Sequence, residues 1–252
     1  PIKIANQIPK SRRREIEKAM EDVSGSPKKW SRGSGPMNHS FLRKRIKPGT
    51  IRNLQYDLLD VEIGESWPVP VTVLHGSRPG PVVTLLGAVH GDELVGPLAL
   101  TYLCGQNFMG PEKILDPSTL AGTLRIVPIV NLPGYRRRTR YFPDGRDLNR
   151  AFPGNPDSNT TSRVADRLWK LIVNSSDYVV DFHTAAKGRT NLPQIRANLA
   201  HPGSNKIGRA FGIETILDTE GPRGSLRRVA NNNDIAAITY EGGGSDEADP
   251  ES

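Results

Sequence analysis

Five segments carry side chains whose types and spacing suit chemistry. In "AVHGDE", His90 and Glu93 stand three residues apart around Gly91 and Asp92. On a turn that enters a helix, an imidazole and a carboxylate at this spacing face one point, and Gly91 supplies backbone freedom for it. Nitrogen and oxygen donors of this kind suit zinc. The same pair also fits the start of a surface helix, where Asp92 and Glu93 simply favour the helix dipole. In "VVDFHT", His183 ends an apolar run and would complete a set of two histidines and one glutamate, leaving a fourth position for water. Asp181 alternates with His183 and projects to the same side, either to orient that imidazole or as a polar core group. A lone histidine in such a run is also compatible with a hydrogen-bonded core residue.

The third segment is "YRRRTRYFPDGRDLNRAFPG", with six arginines between Arg136 and Arg150. Cations packed beside a metal repel it unless anions join them, so this loop implies an anionic substrate, which arginine can clamp through a bidentate pair. Arg137 and Arg138 also read as plain surface, and the whole loop as a basic surface paired with Asp144 and Asp147. In "ITYEGGG", Glu241 ends another apolar run, where a carboxylate beside a metal can act as general base or can face solvent. The fifth and weakest segment is "GSLRRVA", with Arg227 or Arg228 upstream of that run.

The elements that must position these groups are legible in outline. "LQYDLLDVEIG" and "VPVTVLHG" alternate with period two and predict a strand pair. "PVVTLLGAVHG", "TLRIVPIVN", "DYVVDFH" and "IAAITYEGG" are short apolar runs of the kind buried on both faces of a sheet. "ELVGPLALTYLC" reads as a helix. So does the stretch after Asn159 or Thr160, whose Val164, Leu168, Leu171 and Ile172 recur at helical spacing. Strands alternating with helices predict an α/β fold with a mostly parallel or mixed sheet and helices on both faces. Four of the five segments fall where a buried strand ends or just beyond, and open α/β sheets bind ligands at the carboxyl ends of their strands.

The 252 residues carry a net charge of +7, unevenly spread. Residues 1–50 hold 13 Lys/Arg against 4 Asp/Glu, whereas residues 51–252 are slightly acidic. Residues 1–50 therefore read as a basic arm, with a short helix at Arg12–Asp22 and a Ser/Gly/Pro-rich linker, "SGSPKKWSRGSGP", after it. Residues 51–244 read as a catalytic domain and residues 245–252 as an acidic, disordered tail. A basic arm can bind nucleic acid or anionic membrane, but aromatic stacking partners are sparse here, so neither partner is expected. A single cysteine, Cys104, excludes an internal disulfide and a Cys-rich zinc site, and fits a reducing, cytoplasmic setting. No apolar run approaches the roughly 20 residues of a membrane helix.

Taken in order, His90-Gly91-Asp92-Glu93, then Arg140-Tyr141 leading to Asp147-Leu148-Asn149-Arg150, then Asp181-Phe182-His183, then Thr239-Tyr240-Glu241-Gly242, the chain resembles the succinylglutamate desuccinylase/aspartoacylase family. This family is a branch of the zinc carboxypeptidase-like hydrolases, and the resemblance spans roughly residues 51–244. It implies one Zn2+ per chain on His90, Glu93 and His183, with Glu241 as the catalytic glutamate. It implies Arg140 as the group that polarises the scissile carbonyl, and Asn149 and Arg150 as the grip on a substrate carboxylate. Arg227 matches a further substrate-contacting arginine, with Arg228 as the alternative. The activity implied is hydrolysis of the amide bond of a small anionic N-acyl amino acid.

A carboxypeptidase acting on peptides is the rival reading, since it shares the zinc machinery but needs an open groove. The arginine-rich loop favours small anions. A nucleic-acid-binding protein on an inactive hydrolase fold predicts the loss of a metal or catalytic residue, and none is missing. Family members continue past the catalytic glutamate into a β segment that shapes the pocket, whereas eleven residues follow Glu241 here.

Overall fold

The computed structural model describes residues 39–41, 44–60, 66–104 and 115–245. The expected helix at Arg12–Asp22, the linker after it and residues 246–252 of the tail lie outside the described residues. In chain order the strands are β1 (His39–Phe41), β2 (Lys44–Ile46), β3 (Thr50–Asp60), β4 (Ser66–His75), β5 (Arg78–Gly87), β6 (Ala121–Val127), β7 (Tyr178–His183), β8 (Thr190–Ala197), β9 (Ile216–Asp218) and β10 (Ala236–Gly244). The helices are α1 (Val95–Leu103), α2 (Leu132–Arg137), α3 (Thr160–Leu168), α4 (Pro202–Ala210) and α5 (Leu226–Asn231).

Eight strands form one sheet in the order β3-β4-β6-β5-β7-β10-β8-β9. The four central strands β6, β5, β7 and β10 run parallel. The pairings β3–β4, β4–β6 and β10–β8 are antiparallel, so the sheet is mixed. The expected hairpin is the β3–β4 pair. β1 and β2 form a separate two-stranded ribbon, and Ile46 at its end is buried in the main core.

Period-two alternation sends side chains of the central strands to two apolar layers. Val179 of β7 and Ala237 of β10 pack with Val164 and Leu168 of α3 and with Leu226 and Ala230 of α5. Their neighbours Val180 and Ile238 face the other way, with Ile207 of α4 and Phe211 beside it. Leu124 and Ile126 of β6 meet Leu100 of α1 on that same second face. Helices therefore cover both faces, and the central strands, apolar on both sides, read as continuous hydrophobic runs.

Asn159 caps α3 as expected, its side chain accepting from Ser162 N at 3.0 Å. Leu171 and Ile172 do not continue the α-helix. The chain widens into a π turn, Trp169–Val173, closed by Asn174 N donating to Trp169 O. The carbonyl of Ile172 is taken by the buried Arg125 Nη1 at 3.1 Å and by Ser176 Oγ at 3.1 Å. A donor from the sheet and one from the following turn thus claim an oxygen that an α-helix would use internally.

β8 is absent from the sequence expectations because Pro193 and its polar neighbours mask the strand pattern. Among the described residues, no helix is long and apolar enough to cross a membrane.

Leu86 is fully buried at the sheet centre, while Leu192 is 83% exposed. Leu86→Ala is expected to destabilise the fold by about 2–5 kcal/mol, and Leu192→Ala by less than about 0.5 kcal/mol. Denaturant unfolding with an unchanged m-value checks both; equal losses would contradict this account of the core.

Candidate metal centre and active site

Because β5, β7 and β10 are parallel, their carboxyl ends lie on one side of the sheet. His90 and Glu93 follow β5, His183 ends β7, and Glu241 sits in β10 directly opposite His183 in the register. Alternation along β7 puts Asp181 and His183 on the face where Val179 meets α3 and α5.

The turn after β5 is built by backbone constraint. Ala88 adopts a left-handed conformation (φ 46°), which costs a non-glycine residue energy. It is held there by Asn131 N, which donates to Ala88 O at 2.9 Å. Gly91 serves for close approach rather than for dihedral freedom. A Cβ there would lie 2.1 Å from the backbone of Gly134 in α2. Asn131 is buried and caps α2, accepting from Gly134 N, while its amide nitrogen donates to Arg140 O at 3.3 Å. The loop of His90 and the loop of Arg140 are therefore packed and bonded to one another.

One ligand atom from each of His90, Glu93 and His183 lies within 4.8 Å of the others, and all three residues are buried. His90 Nδ1 is 2.8 Å from Glu93 Oε1, and His183 Nδ1 is 2.8 Å from Glu93 Oε2. The two Nδ1 atoms are 3.1 Å apart. The outer nitrogens have carboxylate partners: His90 Nε2 with Asp147 Oδ1 at 3.0 Å, and His183 Nε2 with Asp181 Oδ2 at 2.7 Å. Asp147 and Asp181 take N–H from the outer nitrogens, so both Nδ1 atoms, each also within hydrogen-bond distance of Glu93, offer lone pairs inward once a cation replaces their protons. Two imidazoles and a carboxylate converging on one buried point are a donor set that can hold a divalent metal.

The electrostatics agree. Burial alone would raise the Glu93 carboxyl, but His183 and His90 outweigh it and hold its pKa well below the usual carboxylate range. Burial would lower His183, but Asp181 and Glu93 hold it well above its ordinary value. Each group therefore keeps its charge only because the others are present.

Asp147, which the sequence reading placed only among partners of a basic surface, is central. One oxygen accepts from His90 and from Asn149 N; the other accepts from Arg140 Nε at 3.3 Å and Nη2 at 3.0 Å. Arg140 Nη1 also reaches Glu93 Oε1 at 3.3 Å. Three of the five guanidinium N–H groups are thus committed, and two remain. Asp144, by contrast, binds the start of α3 through Thr161. Arg136, Arg137 and Arg138 are exposed, as expected of surface residues.

Asn149 is buried, with Nδ2 3.3 Å from His183 Nε2 and Oδ1 accepting from Leu226 N at the start of α5. Arg150 is exposed and donates to Asn149 O. Of the two adjacent arginines in α5, Arg227 is buried and close enough to Asp181 and Glu241 to feel their charges. Arg228 turns away to Glu220 at 3.2 Å. Glu241 is buried; burial raises its pKa, partly offset by His183 and Arg196. Asn191 Nδ2 donates to Glu241 Oε2, and Arg196 Nη1 lies 3.3 Å from Oε1. Neither β8 residue was singled out from the sequence.

Residues 79–252 match the model of the succinylglutamate desuccinylase/aspartoacylase catalytic domain. The N-alpha-acetyl-L-2,4-diaminobutyric acid deacetylase of Halomonas elongata is 38% identical over 126 residues, half of this chain and 34% of that enzyme. The product-bound ectoine utilization protein EutE (DoeB) of Ruegeria pomeroyi superposes with a TM-score of 0.67 at 27% identity, over 79% of this chain and 61% of that one. A succinylglutamate desuccinylase/aspartoacylase of Rhodobacter sphaeroides gives 0.67 at 27%, over 80% and 60%. The chain thus spans about a third of the length of the curated relative and about three fifths of the solved ones.

Because Asp147 meets His90 Nε2 and Arg140, Asp147→Ala is expected to weaken the affinity for an added divalent metal about 10- to 100-fold. The exposed Asp157→Ala should leave it unchanged. Competition with a chromophoric chelator measures both, and equal affinities would refute the orienting role.

Proposed function

We propose that this chain, which belongs to the succinylglutamate desuccinylase/aspartoacylase family, is a zinc-dependent amidohydrolase acting on a small anionic N-acyl amino acid. The observation that carries the reading is the buried convergence of His90, Glu93 and His183, with Glu241 in register beside His183. Two imidazoles and one carboxylate suit zinc and leave a position open for water. The relative from Halomonas elongata, by its name, removes an acetyl group from an N-acylated amino acid, which supports a deacylase over a peptidase.

A zinc ion held by these three residues supplies a water acidic enough to ionise near about pH 7 and a Lewis acid for the carbonyl. Glu241 accepts the water proton as the new C–O bond forms, and its burial-raised pKa makes it a better base than an exposed glutamate. The uncommitted N–H groups of Arg140 donate to the oxygen that gains charge as the carbonyl becomes tetrahedral. Glu241 then returns the proton to the amide nitrogen as the C–N bond breaks, giving a carboxylic acid and an amine. Arg150, with the amide of Asn149 beside it, grips the substrate carboxylate, and Arg227 adds a buried positive charge near Asp181 and Glu241.

Metal analysis and turnover together test this reading. The wild type should hold about one zinc per chain, and His90→Ala/His183→Ala none. Glu241→Gln should keep the metal but lose about 10²- to 10⁴-fold in kcat on N-acetyl-diaminobutyrate or related N-acyl amino acids. Release of C-terminal residues from peptides, without N-acyl hydrolysis, would replace the deacylase reading with a carboxypeptidase.

A further inference from the structure

Glu241 is gripped at both carboxylate oxygens by one neighbouring strand. Asn191 Nδ2 donates to Oε2 at 2.8 Å, and Arg196 Nη1 lies 3.3 Å from Oε1. The register explains how both reach it. Arg196 pairs with Thr239, two residues before Glu241 and on the same face, so it is a diagonal neighbour within reach of a long side chain. Gln194 pairs with Glu241, yet Asn191 pairs with Gly243 rather than Gly244. One extra residue in β8 at this bulge reverses the alternation and turns Asn191 onto the face of Glu241. Without the bulge its side chain would point to the opposite layer.

A carboxylate's terminal torsion is soft, so a glutamate bonded at one oxygen still rotates. A hydrogen bond at one oxygen and a guanidinium ion pair at the other restrain the plane. We propose that Asn191 and Arg196 are positioning residues that clamp Glu241, so that one fixed edge of its carboxylate faces the His90–Glu93–His183 cluster. The proposal rests on the function argued above, in which Glu241 moves the proton. The other charged groups facing Glu241 are His183, Glu93 and Asp181, with Arg227 from α5. Arg196 is thus the one arginine or lysine ion-paired with Glu241 among the described residues. Its buried Nε has no hydrogen-bond partner among them, which makes direct contact with substrate the competing role.

Carbon-13 NMR of the full chain labelled at glutamate carboxyls reads the clamp without turnover, with the Glu241 signal assigned by its absence in Glu241→Gln. The signal should move in Asn191→Ala and in Arg196→Met, and return towards its wild-type position in Arg196→Lys. In zinc-loaded protein on N-acetyl-diaminobutyrate, Asn191→Ala and Arg196→Met should each lower kcat about 10- to 100-fold with KM changed less than about threefold. On a Glu241→Gln background neither should cost anything further. An unmoved signal, a raised KM at unchanged kcat, or an undiminished loss on that background would overturn the proposal. A wild type without N-acyl hydrolase activity would sink the function instead, while the Glu241 signal would still decide the clamp.

Discussion

Pressing the lone pairs of two imidazoles and a carboxylate together inside a protein is unfavourable unless a positive charge sits among them, and much of this fold serves to enforce that arrangement. The cluster of His90, Glu93 and His183 is assembled from two strand ends and buried. A carboxylate stands behind each histidine, at the nitrogen turned away from the cluster. The parallel pairing of β5, β7 and β10 brings those strand ends side by side. Helices on both faces then bury the strands deeply enough to hold the register.

The same constraint organises the charges around the cluster. Asp147 and Asp181 do not merely balance nearby arginines; each spends one oxygen on a histidine. Arg140 is bound to Asp147 and Glu93, whereas the guanidinium of Arg150 remains exposed. The six-arginine loop therefore divides its labour. One arginine is built into the centre, one stands at the rim, and four lie on the surface, Arg136, Arg137 and Arg138 around α2 and Arg146 beyond it. A count of charge along the sequence cannot make that division, because it depends on which carboxylates fold back onto the loop.

What the sequence disclosed follows physical periodicity. The four apolar runs became β5, β6, β7 and β10, because a strand buried on both faces needs unbroken hydrophobicity. His90, Glu93 and His183 came together because the motif places them at the ends of those runs. The missed pieces share a different cause. β8 carries Pro193 and alternates weakly, so neither Asn191 nor Arg196 drew notice, although both hold Glu241. Asp147 was legible only as a charge, since its partner His90 lies 57 residues away. Arg227 could not be separated from Arg228 until α5 showed which one turns inward.

The contact between Gly91 and Gly134 sets a mechanical limit. Two backbones that touch with no room for a methyl group between them form a joint that can neither be padded nor slid without separating its halves. One half leads into the histidine and glutamate of the cluster, and the other into the arginine loop. The turn that carries the histidine and glutamate and the loop that carries Arg140 are consequently fixed to one another, and no side chain larger than hydrogen fits at either glycine.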